Sequence, residues 1–437
     1  MKPFVRYIAL CCSVLLVLCG TASCIFDRDY GDPENDGTAL FVLHIAPVST
    51  RAATDGVTEK IRSLRIIAIS KDDNGNNGVI EINRKVDFND VESSTFGYAL
   101  TWKTQPGKKD FYIFANEESV ENIQFTDNRR PAGLGTNATL GDLLDRYADK
   151  DAAEEFKTII NSVYFSPKYR IQNQEIFLPY SVFYGDVDLK GGSPIEKTMY
   201  LVPVATKFTF CFQNYRTQEV EVKEIKVSPT HSQNFLLGRV AENEQTKPFN
   251  SHPDEPEKNE TLYWVDWLAK VADETHKNLT PDNSTTNDQY GWISGYSMPG
   301  TSEQCVQTLI GTGPDLVGGK ERKAEETIPG GSSEDTAGAL YLGPYYFPES
   351  RYTAKDDNNT EQRYTLGLKL HDTEVDSSTS NDFEEGLVIE NVRSLFRDTC
   401  VLIQISMRKG DVDVYAEMAP WEHQEVDGWA DGGSIIP

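Results

Sequence analysis

The feature of the sequence that most limits its fold is a succession of short strand-like runs separated by turn clusters. Three early runs are ALFVLHIA, SLRIIAIS and VIEINRKVDF, and the cluster KDDNGNNG stands between the second and the third. Short strands that alternate with turns at such close intervals are typical of a β-sandwich. The 20 Tyr, 20 Phe and 6 Trp residues agree with this, because aromatic residues favour strands. We therefore predict a mainly β protein.

The length of the chain and an internal echo indicate two such sandwiches. At 437 residues the chain is too long for one ordinary domain. A strand, a connection and a second strand follow residue 197 in KTMYLVPVATKFTFCFQNYRTQEVEVKEIKVSP, as they do in residues 39–70. We predict an N-terminal sandwich over residues 38–192 and a C-terminal sandwich over residues 193–437, divided at GGSP.

Two segments have helical spacing, and one long segment has the composition of loops. Leucines and aromatic residues recur every three or four positions within residues 138–165, and again within residues 262–274. We expect short helical insertions at both places. Residues 275–338 are polar and rich in Gly, Ser, Thr and Asn, which predicts surface loops. Near the end, CVLIQISM and VDVYAEMAPW flank RKGD and predict a hairpin.

The start of the chain is typical of an export signal. Lys2 and Arg6 precede the apolar run IALCCSVLLVLCG, and small residues in TASC lead to Cys24. We predict that residues 1–24 are a lipoprotein signal peptide, that Cys24 becomes a lipidated N-terminus bearing fatty-acyl chains such as palmitate, and that residues 25–37 are a linker. The alternative is a plain secretory peptide that is cleaved nearby.

The remaining cysteines do not suggest a disulfide framework or a zinc site. Three stay after removal of the signal, Cys211, Cys305 and Cys400, and they are far apart without a CxxC pair. Cys211 and Cys400 lie in strand-like runs, where we expect them to be small buried hydrophobic residues.

Charge and motifs argue against several functions. The net charge of −26 disfavours nucleic acid as a partner, since an acidic surface repels phosphate. The segment GTGPDLVGGKER has Pro314 where the first glycine of a phosphate loop should be, and Glu321 follows Lys320 in place of Ser or Thr. No HExxH or GxSxG motif occurs, and DDNGNNG fits a hairpin turn better than a calcium loop. We predict no catalytic, cofactor or metal site, and no enzyme.

The predicted first strand is followed by a segment whose composition predicts a loop that a protease could reach. The run ALFVLHIAP, residues 39–47, leads into VSTRAATDG, whose only cation is Arg51. Cleavage between Arg51 and Ala52 would detach the strand. A sheet that has lost a strand exposes backbone N–H and C=O groups beside apolar pockets, and an incoming strand can satisfy both.

A donor for that vacancy is predicted near the C-terminus. The candidate side chains are those of Val412, Val414, Tyr415, Met418 and Trp421, followed by Ile435 and Ile436 at the tip of the tail. The alternative interpretation is that this segment is the last strand of its own domain. A head-to-tail contact of this kind does not close on itself and therefore makes a filament.

Several segments in order resemble the fimbrillins of Bacteroidales, the subunits of type V pili. They are TRAATDG followed by IRSLRIIAIS, GKKDFYIFANEES, LPYSVFYGD, VPVATKFTFCF and VDVYAEMAPW, which together span most of residues 38–421. The resemblance implies two transthyretin-like, Greek-key sandwiches and export as an outer-membrane lipoprotein. It also implies cleavage by an arginine-specific protease, and assembly with other fimbrial subunits by donor-strand exchange into an extracellular fimbrium that supports adhesion to a host or bacterial surface ligand. The shaft, tip and anchor positions all stay open.

A second interpretation comes from another class of protein. A glycan-binding surface lipoprotein of a polysaccharide-uptake system would also combine a lipid signal, a polar linker and stacked sandwiches. Trp421 and Trp429 would then be the aromatic residues that stack on sugars. Such a platform does not need a removable first strand.

Overall fold

The computed structural model describes the chain in segments. These are residues 39–47, 61–72, 77–87, 98–148, 151–167, 170–171, 174–175, 177–189, 195–238, 248–249, 260–261, 305–312, 316–317, 320–321, 323–332, 336–349, 364–372, 382–389, 395, 397, 399–408 and 411–420.

The first half of the chain contains eleven described strands and two short α-helices. The strands are β1 (Ala39–Pro47), β2 (Ser63–Lys71), β3 (Asn77–Asp87), β4 (Tyr98–Thr104), β5 (Gly107–Ala115), β6 (Gln124–Phe125), β7 (Val163–Phe165), β8 (Arg170–Ile171), β9 (Gln174–Glu175), β10 (Tyr180–Leu189) and β11 (Ile195–Leu201). The helices are α1 (Leu140–Asp145) and α2 (Ala153–Ile160), and the 3₁₀ turns are Glu117–Ser119, Thr126–Asn128 and Arg146–Ala148.

The second half contains strands only among its described residues. They are β12 (Thr206–Asn214), β13 (Val220–Thr230), β14 (Asn234–Phe235), β15 (Pro248–Phe249), β16 (Glu260–Thr261), β17 (Cys305–Ile310), β18 (Leu316–Val317), β19 (Lys320–Glu321), β20 (Glu326–Ile328), β21 (Gly338–Phe347), β22 (Thr365–Asp372), β23 (Asp382–Val388), β24 (Thr399–Arg408) and β25 (Asp411–Pro420).

Two sheets of the first half pack face to face and form what we call the N-terminal sandwich. One sheet has the order β11-β1-β4 and the other the order β10-β5-β2-β3. Phe41 from β1, Phe111 from β5 and Met199 from β11 meet in one buried cluster between them. The predicted mainly β architecture is thereby confirmed.

The second face of the four-stranded sheet is covered by the two helices and their loops, which we call the helical layer. Ile66 of β2 faces the core between the sheets, whereas the next residue, Ile67, faces α1 and α2. Successive side chains of a strand point to opposite faces, so a sheet that is covered on both sides needs unbroken apolar runs. The run SLRIIAIS in β2 and the run FYIFA in β5 meet this need.

A charge cluster with a buried centre at Arg65 and Glu117 and an exposed member at Asp145 fastens the helical layer to the sheet. The Arg65 Nε in β2 lies 2.6 Å from Glu117 Oε2, and its Nη2 lies 2.7 Å from Asp145 Oδ1 at the end of α1. Helix α1 begins with a reciprocal cap, in which the Thr139 hydroxyl accepts from the Asp142 N–H and the Asp142 carboxylate accepts from the Thr139 N–H. These hydrogen bonds lower the pKa of Asp142 below its usual value.

The C-terminal sandwich repeats the design of the N-terminal one. Its sheets have the orders β21-β12-β24-β25 and β17-β13-β22-β23, with β20 also paired to β13. Strand β12 has one parallel neighbour, β24, and one antiparallel neighbour, β21. Strand β1 likewise has one parallel neighbour, β11, and one antiparallel neighbour, β4. The architectural echo seen in the sequence therefore corresponds to the strand pairs β1–β2 and β12–β13.

The predicted boundary at residue 192 does not coincide with the strand pairing. Strand β11 begins at Ile195, after that boundary, yet it pairs with β1. Met199 and Leu201 of β11 lie in the core of the N-terminal sandwich. The division into two domains stays a prediction, and β11 groups by its hydrogen bonds with the strands that precede the boundary.

Most strands predicted from local pattern are present, and one prediction is wrong. The strand β1 has the predicted bounds, β2 and β3 form the predicted hairpin, and β24 and β25 form another. Helices α1 and α2 lie within the predicted segment 138–165. Residues 275–338 are not simply loops, because β17 pairs with β13 and buries Leu309 and Ile310. The predicted helix at 262–274 lies outside the described residues.

A buried arginine joins the two sandwiches. The Arg397 Nε, which lies between β23 and β24, donates to Glu349 Oε2 at 2.9 Å. Its Nη2 donates to the Phe235 carbonyl at 2.8 Å, and its Nη1 donates to the Leu236 carbonyl at 2.9 Å and to Ser181 Oγ of β10 at 3.2 Å. Both Arg397 and Glu349 are buried, and the hydrogen bonds of Arg397 connect Ser181 of the first half with segments of the second half.

We predict that replacing Arg397 by Met destabilises the protein by about 3–5 kcal/mol, because the buried Glu349 carboxylate would lose its counter-charge. The double variant Arg397→Met/Glu349→Leu should recover part of this loss. Lys226→Met is the matched control, since its ion pair with Glu224 is partly exposed and is worth at most about 1 kcal/mol. Chemical denaturation measures all three, and equal losses for Arg397→Met and Lys226→Met would contradict the prediction.

We also predict a fall in stability on mild acidification that depends on His231. Burial lowers the pKa of His231 below its usual 6.5, so the folded state resists protonation while the unfolded state accepts it. The free energy of unfolding should therefore decrease as the pH falls below about 6.5. Urea denaturation from about pH 7.5 to about pH 5 should show a shallower decrease for His231→Gln.

Carboxyl groups with lowered pKa values do not explain a loss of stability between about pH 7.5 and about pH 5. Lys71 lowers the pKa of Asp186 below its ordinary 3.8, so its contribution is lost only at more acidic pH. Equal pH slopes for the wild type and for His231→Gln would show that His231 is not responsible.

Candidate functional site

The first strand lies inside a sheet, although it is the first described segment of the chain. Residues 41–47 of β1 pair in parallel with β11, and residues 39–45 pair antiparallel with β4. Each partner uses one edge of β1, so β1 contributes two ladders of backbone hydrogen bonds. Its loss would leave β4 and β11 with unpaired edges that face one another across one strand width.

The inward side chains of β1 complete the core of the N-terminal sandwich. Phe41 and Leu43 are fully buried. The Phe41 ring packs edge-on against Trp102, with 4.6 Å between centroids, and stacks on Phe111 at 5.6 Å. Burial of these two side chains contributes on the order of 3–6 kcal/mol.

We refer to the space that β1 fills as the β1 groove. Its sides are the backbones of β4 and β11, and its floor includes Trp102 and Phe111. The Trp102 Nε1 is buried and has no hydrogen-bond partner within the described segments. The groove is thus a long slot with apolar pockets and backbone groups along both sides, which is the shape that an extended peptide strand fills.

Sequence reasoning identified β1 but did not single out the residues that form the floor of the groove. Trp102 occurs in FGYALTWKT and Phe111 in KDFYIFAN, and both runs have the composition of strands. The large apolar residues in these two runs indicate that their side chains are buried. The pattern does not tell which neighbouring strand those side chains contact.

The predicted processing residues and part of the predicted donor segment, including Ile435 and Ile436, lie outside the described segments. Cys24 precedes β1, Arg51 and Ala52 follow it, and Trp421 follows β25. Lipidation at Cys24 and cleavage between Arg51 and Ala52 stay predictions. The position of Arg51, four residues after the end of β1 at Pro47, places the predicted cleavage site just beyond the strand that it would detach.

The predicted donor segment is paired within its own chain. Strand β25 runs antiparallel to β24 and is the last strand of its sheet, with Met418 opposite Val401 in register. Val412 and Val414 pack against the core of the C-terminal sandwich, whereas Tyr415 is 56% exposed. This arrangement matches the alternative that β25 is a strand of its own sandwich, and the donor role stays a prediction.

The described residues contain few other side chains that could take part in catalysis or metal binding. Cys211 and Cys400 are both buried thiols, as expected, and burial raises the pKa of the Cys211 thiol to about 11. Within the segments that the structure describes, no three His, Cys, Asp or Glu side chains are grouped as metal ligands. None of the helices described is both long and apolar enough to traverse a membrane.

The fold and the groove define a class of protein, a double β-sandwich whose first strand is a central strand. Solved structures that align with the chain include fimbrial proteins. One is a C-terminally truncated tip fimbrial protein of Porphyromonas gingivalis, with 10% identity and a TM-score of 0.43 over 88% of this chain and 100% of that chain. Another is a fimbrilin of the same organism, with 10% identity and a TM-score of 0.41. The alignment covers 88% of this chain and 98% of that chain.

A fimbrial protein of Bacteroides vulgatus also aligns, with 12% identity and a TM-score of 0.39 over 87% of this chain and 99% of that chain. No protein-family model matches the sequence, and no curated protein matches it. All three TM-scores lie below 0.5, so we base the function on the chain's own strands and contacts.

We predict that Phe41→Ala destabilises the protein by about 3–5 kcal/mol, because it leaves a cavity beside Trp102 and Phe111. Val79→Ala is a suitable control, since Val79 is 37% exposed and its truncation removes little buried surface. Thermal or urea unfolding measures the difference. Equal stability of the two variants would mean that Phe41 does not hold β1 in its groove.

Proposed function

We propose that this chain is a structural subunit of a cell-surface fimbria, and that subunits join when β1 leaves its groove and a strand of another subunit replaces it. The observation that carries the proposal is the position of β1, a central strand at the start of the fold, just before the arginine-containing segment. Edge strands can be lost without opening a core, but this one cannot.

The physics of replacement follows from the groove. A guest strand would have to pair with β4 and β11 at once and place apolar side chains where Phe41 and Leu43 lie. Hydrogen bonds along both sides and burial of the alternate side chains would supply the binding free energy. Since both partners are strongly acidic overall, charge attraction contributes little, and assembly should depend weakly on salt.

The proposal includes the steps that precede assembly. The chain would be exported as a lipoprotein anchored through Cys24 to the outer membrane. An arginine-specific protease would then cut between Arg51 and Ala52 at the cell surface. The trimmed subunit would polymerise into an extracellular fimbrium that mediates adhesion, with no catalytic step beyond the proteolysis.

The donor is proposed to be the C-terminal segment of a neighbouring subunit. Among the described strands, β25 pairs with β24 only, so it can leave its sheet at a lower cost than a central strand. The donor side chains would come from Val412, Val414, Tyr415, Met418 and Trp421, or from the tail that ends with Ile435 and Ile436. A subunit whose β25 stays in its own sheet would accept a strand without donating one, as a tip subunit does.

We predict that an arginine-specific endopeptidase converts the purified chain into a form that starts at Ala52 and has an open groove. N-terminal sequencing identifies the new terminus. A synthetic peptide with the sequence ALFVLHIAP should bind the trimmed protein and block its polymerisation, as followed by light scattering and electron microscopy. A scrambled peptide of the same composition is the control.

Two variants make the test specific. Arg51→Gln should resist cutting at this position and stay monomeric, whereas Arg129→Gln, which removes an exposed arginine from the helical layer, should behave as the wild type. The proposal fails if the form starting at Ala52 remains a monomer that neither binds the peptide nor loses stability.

A further inference from the structure

A pocket of about 440 Å³ lies in the helical layer, away from the β1 groove. It is formed by Asn122 just before β6, by β6 itself, by the centre of β7 and by the loop that connects β6 to α1. Pockets for small molecules are typically about 300–1,000 Å³, so this one is large enough for a ligand. The helical layer covers the face of the four-stranded sheet opposite to the core that contains β1.

Uncharged hydrogen-bonding side chains dominate the lining of this pocket. They come from Asn122, Gln124, Asn128, Thr136 and Asn137. Each amide offers one acceptor and two donors, and the hydroxyl of Thr136 offers both. None of these five side chains makes a hydrogen bond to another group of the described chain. Their hydrogen-bonding capacity is therefore directed to solvent or to a ligand.

Charge in the pocket is limited to one arginine that is already engaged. The Arg130 Nη1 donates to the Gly135 carbonyl at 2.6 Å, and its Nη2 donates to the Ile123 carbonyl at 2.8 Å. Its guanidinium carbon lies 5.1 Å from the centre of the Phe125 ring. No carboxylate lines the pocket, so its ligand set does not suit a divalent cation, and its single cation is not free to clamp an anion.

Aromatic surface accompanies the amides. Phe125 and Tyr164 line the pocket, and both rings are half-buried. Their residues lie on adjacent strands, because β6 pairs with β7. An aromatic ring next to amide and hydroxyl groups suits a ligand that has both apolar C–H faces and many hydroxyls.

The backbone around the pocket is held in a sparsely populated conformation. Asn122 and Asn128 have φ angles of 52° and 56°, and the neighbouring Asp127 has 54°. These are three of the five non-glycine residues with positive φ in the described segments. Left-handed residues cost free energy and concentrate at ligand sites, and Asn and Asp tolerate the conformation best.

We propose that this pocket is a binding site for a neutral saccharide. Sugar hydroxyls match the free amide and hydroxyl groups, and a sugar C–H face matches the rings of Phe125 and Tyr164. A peptide is the weaker fit, since the pockets that take peptide side chains are mainly apolar, whereas amide and hydroxyl groups dominate this lining. The proposal goes beyond the fimbrial role and does not depend on strand replacement, because the pocket and the β1 groove lie on opposite sides of one sheet.

The test uses the purified, folded chain against an array of immobilised neutral glycans, which includes starch, xylan, mannan, galactan and β-glucan. The wild type should bind at least one of them, and raised salt should not weaken the binding. The double variant Gln124→Ala/Asn137→Ala should bind that glycan at least about tenfold more weakly, which corresponds to about 1.4 kcal/mol. Both side chains lack intramolecular hydrogen bonds, so the variant should keep its thermal stability.

Gln105→Ala is the matched control, because Gln105 is an exposed amide in the turn between β4 and β5. It should bind as the wild type does. The proposal is overturned if no neutral glycan of the array binds, if the double variant binds as well as the control, or if only polyanionic glycans or peptides bind. Loss of glycan binding would leave the polymerisation of the trimmed chain unchanged, so the two proposals fail independently.

Discussion

The double pairing of β1 is the constraint on which the N-terminal sandwich depends. One strand satisfies the edges of both β4 and β11 and at the same time supplies Phe41 and Leu43 to the core. Backbone pairing and core packing by β1 cannot be separated, because the register that forms the ladders also sets which side chains point inward. The replacement strand proposed above would therefore be restricted in pattern, since it would have to pair with β4 and β11 and place apolar side chains at the positions of Phe41 and Leu43.

The sequence predicted those parts of the fold that have a strong local pattern. The strands β1, β2 and β5 are continuous apolar runs, and α1 and α2 have helical spacing, so their existence could be inferred. Strand β17 could not, because its six residues lie in a polar region and their burial comes from pairing with β13, far away in the sequence. The grouping of β11 with β1 is also non-local and left no local signal.

The two candidate sites also differ in how far they could be inferred from the sequence. The β1 groove was predictable because one strand and the open segment after it are consecutive in the sequence. The pocket in the helical layer was not, because its amides are spread over residues 122–137 and match no motif. Their unusual density of Asn residues was the only available sign, and Asn is equally common in turns. The structure adds what composition lacks, which is their convergence around Phe125 and Tyr164.

The junction at Arg397 has a consequence for a chain that is pulled from both ends. Its guanidinium holds the carboxylate of Glu349 and the carbonyls of Phe235 and Leu236, which belong to different segments of the chain. The guanidinium is planar and donates these hydrogen bonds in fixed directions, so separating the segments requires all of the bonds to break. In the filament proposed above, tension that pulls Ser181 of the N-terminal sandwich away from Glu349 would act directly on this buried junction.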